Sequence, residues 1–285
     1  DLKRVAELDP TAQDTYRLMA SAYEELGKLK EAEDAYRKAI AQWPQDWMAV
    51  NNLAGYYLVH GRAGDAAKQY KLVIELRPDS TYGYTGLGGA YFYLGRWAEA
   101  RKELEKCLSI GPEYSAYSNL GTLDYQEGRY AEAAVMFEKA LAIDKNDHRV
   151  WGNLAAAQSL VPGREAAARE TIRKAAELAE EQLKIDPRSA PVLAAAADYR
   201  SMTGERGKAL AYLASALGVD PENVDIQYRA AQVHEQLGNR KDALVWLGKA
   251  LAKGYPRASV EASPTFRKLR EDPEYQKILS EIPTK

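Results

Sequence analysis

The sequence predicts an all-α fold assembled from short helical pairs, on the evidence of its composition and of the spacing of glycine and alanine. Of the 285 residues, 47 are alanine, the residue with the highest helix propensity. Glycines recur at intervals of 34, 34, 33, 76 and 34 residues, and each is followed five residues later by an alanine. The pairs are Gly27 and Ala32, Gly61 and Ala66, Gly95 and Ala100, Gly128 and Ala133, Gly204 and Ala209, and Gly238 and Ala243. A period of this length indicates stacked structural repeats.

Each period reads as two amphipathic helices. Between Trp47 and Pro78, the spacing i, i+3, i+4, i+7 of one helix face is occupied by Val50, Leu53, Ala54 and Tyr57. Gly61 suits the backbone conformation that ends this helix. A second apolar face follows at Ala63, Ala66, Tyr70, Val73 and Ile74. Since one pair cannot bury both of its faces, neighbouring pairs are expected to stack.

The repeat register divides the chain into three parts. Seven repeats are expected over 13–255, namely 13–46, 47–80, 81–113, 114–147, 148–189, 190–223 and 224–255. Residues 1–12 are expected to be the second helix of a repeat that lies upstream. Residues 256–285, which combine prolines with short helical segments, are expected to cap the last repeat.

The fifth unit departs from the period by eight extra residues before Pro187. The stretch Arg164–Ile185 is rich in alanine and glutamate and contains neither glycine nor proline. We therefore expect an elongated second helix, which would project about 12 Å beyond its neighbours at 1.5 Å per residue.

The landmark residues resemble the tetratricopeptide repeat. In the third unit they are Tyr84, Leu87, Gly88, Tyr91, Gly95, Trp97, Ala100, Leu104 and Pro112. The resemblance implies a right-handed superhelical α-solenoid whose first helices line a concave groove, with a protein or peptide as ligand. The fourth unit departs from the pattern, with Asp124 where tyrosine is usual and Lys145 in place of the closing proline.

Two segments, 178–187 and 251–275, look like the carboxy-terminal repeat arrays of bacterial multidomain signalling proteins. In those proteins the repeats follow a Ser/Thr kinase, a winged-helix or a cyclase domain. This second resemblance implies that the chain is the sensing or scaffolding region of a larger protein. A cytoplasmic location is favoured, or a periplasmic one if a membrane span precedes the array.

Composition excludes several kinds of chemistry. One cysteine, Cys107, and three histidines at different repeat positions offer neither a zinc site nor a catalytic triad. The run Gly86-Leu87-Gly88-Gly89 resembles a phosphate loop, but Tyr91 takes the sixth position, so close helix packing explains it better. We expect no enzyme activity, no catalytic residue, no metal and no cofactor.

The charge balance and the hydropathy limit the kinds of partner that the chain is expected to bind. With 39 Lys+Arg against 41 Asp+Glu, the net charge of -2 favours no nucleic acid. Apolar runs are far shorter than the roughly 20 residues that cross a bilayer, so membrane insertion is not expected. A homo-oligomer stays possible, because the terminal or elongated helices could mediate self-association.

The resemblance assigns a set of first-helix positions to the concave groove. They are Arg17, Met48, Asn51, Asn52, Leu58, Tyr82, Thr85, Phe92, Tyr93, Asn119, Tyr125, Asn153 and Tyr228. Asn52, Asn119 and Asn153 share repeat position six, similar to the asparagine ladder of O-linked N-acetylglucosamine transferase arrays. An amide side chain can pair with both polar groups of a peptide backbone.

These positions predict a peptide-binding groove anchored by Phe92, Tyr93 and Tyr125. An alternative stays open, in which the aromatic rings pack against the elongated helix or a second copy of the chain. Recognition of chaperone tails is disfavoured, because Ser21, Tyr82 and Gly86 replace three residues of the pattern that binds a terminal carboxylate.

Overall fold

The computed structural model describes residues 13–281, and every regular element in this range is helical. The expected upstream helix at 1–12 lies outside the described residues. The chain divides after Leu123 into two compact units, called unit 1 and unit 2 below. The prediction of an all-α fold built from helical pairs is confirmed.

Unit 1 begins with three helical pairs, and helix α7 crosses the boundary between the units. The helices are α1 (Gln13–Glu25), α2 (Leu29–Gln42), α3 (Trp47–Val59), α4 (Ala63–Leu76), α5 (Thr81–Tyr93), α6 (Trp97–Ile110) and α7 (Tyr114–Gln126). Unit 2 continues with α8 (Tyr130–Ile143), α9 (His148–Ser159), α10 (Glu165–Ile185), α11 (Ala190–Met202), α12 (Arg206–Val219), α13 (Val224–Gln236) and α14 (Arg240–Ala252). It ends with α15 (Arg257–Ala262), two 3-10 turns (Pro264–Phe266 and Leu269–Glu271) and α16 (Pro273–Glu281).

A glycine with positive φ ends the first helix of most pairs. At the end of α3, Gly61 has a φ of 73°, and the Arg62 N–H donates to the Tyr57 carbonyl at 2.7 Å. This six-residue hydrogen bond is the Schellman arrangement, which requires a left-handed residue at the turn. The same φ, between 69° and 79°, occurs at Gly27, Gly95, Gly128, Gly204 and Gly238. The glycine period is therefore the period of this turn.

A small, fully buried side chain follows each of these turn glycines. The alanines that follow the turn glycines have no exposed surface; they are Ala32, Ala66, Ala100, Ala133, Ala209 and Ala243. Interaxial distances between packed helices depend on the side chains at the contact. In the third pair, a Cβ added at Gly88 of α5 would lie 3.3 Å from the carbonyl oxygen of Ala100 on α6, so the two helix backbones come close beside this alanine.

The glycine run of α5 is explained by packing. A Cβ atom added at Gly86 would lie 2.1 Å from Cε1 of Tyr70, and one at Gly88 would lie 2.7 Å from Cγ of Leu104. Carbon atoms that are not bonded to each other do not come this close. At Gly89, in contrast, the nearest atom is Leu58 Cδ2 at 3.9 Å. Two glycines thus admit side chains of neighbouring helices, and the third leaves open space at the surface.

In unit 2, helix α10 is 21 residues long, whereas α8 and α12 have 14. The Arg200 guanidinium on α11 donates to both carboxylate oxygens of Glu180 on α10, at 2.9 and 2.6 Å. The hydroxyl of Tyr212 on α12 donates to the same Glu180 at 3.1 Å. Bidentate arginine–carboxylate pairs are the strong geometry for such contacts. The long helix is therefore joined to the pair that follows it.

The last helical pair of unit 2 is covered by the carboxy-terminal segment. Phe266, Leu269 and Tyr275 are buried, and they share one apolar cluster with Leu247 and Leu251 of α14. Without this segment, the apolar side of α14 would be exposed to water. Covering a terminal repeat in this way is a general requirement of stacked arrays.

We expect Gly86→Ala to destabilise unit 1, because the added Cβ would overlap the Tyr70 ring. The unfolding free energy should fall by about 1–3 kcal/mol, the usual cost of overpacking. The matched control is Gly89→Ala in the same helix, where space is open and alanine should stabilise by up to about 1 kcal/mol. Urea unfolding followed by circular dichroism measures both. If the two variants are equally stable, the Tyr70 ring does not fill the space at Gly86.

We also expect acid to weaken unit 2 through Glu205. Hydrogen bonds from Lys208 and Arg200 lower the pKa of Glu205 to about 2. Since this pKa is depressed in the folded state, the stabilisation is complete above the unfolded value of about 4.3. It is lost as the pH falls from there towards 2. Thermal melts of Glu205→Gln should therefore change less between pH 5 and pH 2.5 than those of the parent chain, and parallel curves would contradict this.

Candidate functional site

A shallow cleft opens in unit 1 between its first two helical pairs. Its volume is about 290 Å³. It is lined by Ser21, Glu24, Tyr36, Asn51, Asn52, Gly55, Tyr56, Val59 and Tyr70. We call these residues the unit 1 cleft. Helices α1 and α3 supply most of them, and α2 and α4 each add one tyrosine.

The cleft floor is aromatic. Tyr36, Tyr56 and Tyr70 are buried, so their rings form the base of the cleft and not its rim. The ring centroids of Tyr36 and Tyr56 are 5.9 Å apart. A Cβ at Gly55 would lie 3.9 Å from the Tyr70 hydroxyl, which is an ordinary contact distance. The Tyr36 hydroxyl donates to Glu24 and the Tyr56 hydroxyl to the Leu29 carbonyl. The base of the cleft therefore offers apolar ring surface together with the Tyr70 hydroxyl.

Two asparagines supply the free hydrogen-bonding capacity of the cleft. The side chains of Asn51 and Asn52 on α3 are half-buried, and within residues 13–281 neither forms a hydrogen bond to another residue. An amide offers two donors and one carbonyl acceptor. Both residues are therefore able to pair with a polar chain that enters the cleft.

Glu24 is the charged group of the cleft. Its Oε1 accepts a hydrogen bond from the Tyr36 hydroxyl at 2.6 Å. Its Oε2 lies 4.0 Å from Nε2 of His60, and 28% of its side chain is exposed. Burial, and then the bond to Glu24, raise the pKa of Tyr36 to about 12. The tyrosine therefore keeps its proton and acts as a donor to Glu24.

Beyond the cleft, unit 1 has a second surface centred on Gly89 of α5. A Cβ at Gly89 would lie 3.9 Å from Leu58 and 4.0 Å from the Asn119 amide nitrogen, so these two side chains flank it. Phe92 packs edge-on against Tyr93 with centroids 5.9 Å apart, and 69% of Tyr93 is exposed. The structure thus brings together predicted residues from three helices. An exposed apolar patch of this kind often marks an interaction site.

Two further predicted residues lie near the start of the first helices. Met48 lines a groove beside Trp43 and Trp47 in the segment that joins α2 to α3. The ring of Tyr82 lies 5.5 Å from that of Trp47, and 62% of Tyr82 is exposed. Both side chains are accessible.

Arg17 and Thr85 are engaged inside unit 1. Arg17 pairs with Asp14 on the same helix. The Thr85 hydroxyl lies 3.1 Å from the Cys107 sulfur and 3.4 Å from Glu113. Thr85 therefore faces its own helical pair, which makes it a poorer contact for a ligand than its repeat position indicates.

Three predicted residues lie in unit 2 and differ in accessibility. Asn153 is exposed. Tyr125 is half-buried against Tyr130, with ring centroids 5.3 Å apart, and burial raises its pKa. Tyr228 corrects the prediction, because it is 9% exposed and stacks on Tyr255 at 3.9 Å beneath the terminal segment. Tyr228 is a core residue and not a surface contact.

The polar first-helix residues of unit 2 bind one another. Asp198 on α11 accepts a hydrogen bond from the Gln236 amide at 3.0 Å, and it lies 3.5 Å from the Arg229 guanidinium. In unit 1, Asn52 stands at the repeat position of Arg229, and neither Asn52 nor Asn51 has such a partner among the described residues. The amides of the unit 1 cleft are therefore available for hydrogen bonds to a ligand.

Sequence reasoning missed the tyrosines of the cleft floor. Tyr36 and Tyr70 occupy a second-helix position that the repeat pattern reserves for the core. A usable signal was present, since the glycine at 86 leaves room for the Tyr70 ring. Val59 lies at the edge of the cleft and is 79% exposed.

Over residues 13–281, no group of three or more His, Cys, Asp or Glu side chains is placed to hold a metal ion. No helix in this range combines the length and the apolar character that crossing a bilayer requires. Cys107 is buried, and burial raises the pKa of its thiol, so a reactive thiolate is disfavoured.

Comparison with known proteins identifies the repeat. Three family models described as tetratricopeptide repeat match residues 17–81, 79–146 and 202–262. No curated protein sequence matches significantly.

Several solved structures share the fold of this chain. The APC/C hetero-tetramer Cut9–Hcn1 is 16% identical with a TM-score of 0.62, and the match covers 98% of this chain and 51% of that one. A tetratricopeptide repeat protein from Parabacteroides merdae is 17% identical with a TM-score of 0.54, covering 87% and 96%. A thermophilic repeat protein from Thermus thermophilus is 23% identical with a TM-score of 0.52, covering 64% and 99%. The three family matches show that residues 17–146 and 202–262 belong to the tetratricopeptide repeat family, and the solved structures share the α-solenoid fold.

Proposed function

We propose that the chain is a non-catalytic interaction module that binds an extended peptide segment on the first-helix surface of unit 1. The observation that carries the proposal is the pair of unpartnered amides, Asn51 and Asn52, in a cleft with an aromatic floor. Amides pair with the main chain of any sequence, and the rings accept apolar side chains.

The surface around Gly89 extends the proposed site. Leu58, Phe92 and Tyr93 supply apolar area, and Asn119 supplies a third amide. Aromatic residues are enriched among the side chains that dominate binding energy. Tyr125 and Asn153 of unit 2 were predicted for the same ligand and stay predictions.

The proposal of a non-catalytic role rests on the chemistry of the surface. The ionisable groups at the unit 1 cleft are a carboxylate, tyrosines and a histidine at its edge, without a thiol among the described lining residues. Glu24 is already hydrogen-bonded to Tyr36, whose pKa is raised. This set favours binding over proton transfer or nucleophilic attack. No cofactor is needed for such a role.

We expect the paired substitution Asn51→Ala with Asn52→Ala to weaken peptide binding about tenfold or more, because two main-chain contacts would be lost. Phe92→Ala with Tyr93→Ala should have a similar effect through lost apolar contact. The ligand is a peptide selected from a random dodecapeptide library on the whole chain, and calorimetry measures its affinity.

The matched controls are Asn146→Ala and Val135→Ala, which remove an exposed amide and an exposed aliphatic side chain of unit 2. Both should leave the affinity unchanged. The proposed site is wrong if the selected peptide binds all four variants equally well.

Self-association is the second candidate function, and one observation favours it. Ile185, the last residue of the long helix α10, is 88% exposed. We expect light scattering to separate the two functions. A mass that rises with concentration and falls back in Ile185→Lys would support self-association, whereas a constant monomer that binds peptide would leave it without support.

The place of the module in a larger bacterial signalling protein stays a prediction. It depends on the resemblance of 178–187 and 251–275 to arrays linked to kinase, winged-helix or cyclase domains. The open reading frame that encodes the chain would test it, because an adjoining domain of one of these types would identify the pathway.

A further inference from the structure

We propose that the unit 1 cleft selects a basic side chain, lysine or arginine, of the bound peptide, with Glu24 as its partner. This inference rests on the proposed function and specifies the chemistry of the ligand. Among the described residues that line the cleft, Glu24 alone carries a full charge, and the others are tyrosine, asparagine, serine, glycine and valine. The residues that line the cleft therefore carry a net negative charge.

The Glu24 carboxylate has unused acceptor capacity. A carboxylate can accept about four hydrogen bonds. In unit 1 it accepts one, from the Tyr36 hydroxyl at 2.6 Å. The imidazole of His60 is 4.0 Å away, which is beyond hydrogen-bond distance. No lysine or arginine among the described residues forms an ion pair with Glu24.

Two arginines lie close enough to act on tyrosines of the cleft, Arg17 on Tyr36 and Arg62 on Tyr56. Arg17 pairs with Asp14, Arg62 pairs with Glu33 and Asp65, and neither arginine is among the residues that line the cleft. An incoming cation would therefore meet a carboxylate that is not paired with a lysine or an arginine. An acidic ligand side chain would meet the same carboxylate and be repelled.

The floor of the cleft also suits a cation. Tyr36 and Tyr56 lie 5.9 Å apart at a tilt of 52°, and the His60 ring lies 4.6 Å from that of Tyr56. The faces of tyrosine rings attract ammonium and guanidinium groups. An aromatic floor beside a carboxylate matches a long basic side chain, whose methylene stem packs on the rings while its charged end reaches Glu24.

The two asparagines and Glu24 recognise different parts of the peptide. Asn51 and Asn52 pair with the main chain and are indifferent to sequence, whereas Glu24 discriminates by charge. A segment with one lysine or arginine among apolar residues would then bind in a fixed register. Segments with glutamate or aspartate at that point would be rejected.

The test is a selection of random dodecapeptides displayed on phage against the whole chain and two variants. Glu24→Gln removes the charge and keeps an oxygen that can accept the Tyr36 hydrogen bond. Glu25→Gln is the matched control, since Glu25 is an exposed carboxylate on the same helix but outside the cleft lining. Peptides selected on the parent chain and on Glu25→Gln should be enriched in lysine or arginine at one position, and those selected on Glu24→Gln should not.

A second measurement leaves the protein unchanged. Replacing the enriched basic residue of a selected peptide by norleucine should weaken binding about tenfold or more, because a charge-assisted contact is lost. The same replacement should have little further effect on binding to Glu24→Gln.

The possible outcomes separate the inference from the proposed function. If peptides are selected without an excess of basic residues, or with the same excess on Glu24→Gln, the inference is wrong and the module still binds peptides. If the parent chain enriches no peptide at all, the proposed function fails and the inference fails with it.

Discussion

The structure depends on close contact between the two helices of each pair, which alanine makes possible. Where a turn glycine is followed by its alanine, the alanine is completely buried, as at Ala66 and Ala100. A larger residue there would push the helices apart, because protein cores have little free volume. The turn glycine sets the direction of the second helix, and the alanine sets its distance from the first.

Where helices pack closely, the larger side chains between them determine the shape and the chemistry of the surface. The Tyr70 ring on α4 occupies the space left by Gly86, and its hydroxyl reaches the cleft beside Gly55. A residue whose position belongs to the core thus contributes a polar group to a candidate binding site. Unit 2 uses its polar residues differently, since Asp198, Arg229 and Gln236 satisfy one another. Among the described residues, the two asparagines of the unit 1 cleft thus lack hydrogen-bond partners, whereas these three polar residues of unit 2 have them.

Much of the helical architecture could be predicted from sequence, because a 34-residue period fixes where helices begin and end. The contacts that a repeat makes with other segments of the chain could not be predicted in this way. Repeat position alone placed Tyr228 on the surface, whereas Tyr255 of the same repeat and Phe266 of the terminal segment cover it. It likewise assigned Thr85 to a ligand, although Cys107 and Glu113 engage its hydroxyl. The period describes one repeat, and the accessibility of a side chain also depends on what packs beside it.

Gly89 shows how such a surface could change over evolutionary time. It lies in a regular helix, so its φ needs no special residue, and only Leu58 and Asn119 come near the place of a Cβ. A mutation there would add a side chain to the surface without entering the core. Most routes to a new specificity trade stability for function. A side chain added at this position would not lower stability, so divergent copies of the gene could acquire new ligands through single substitutions.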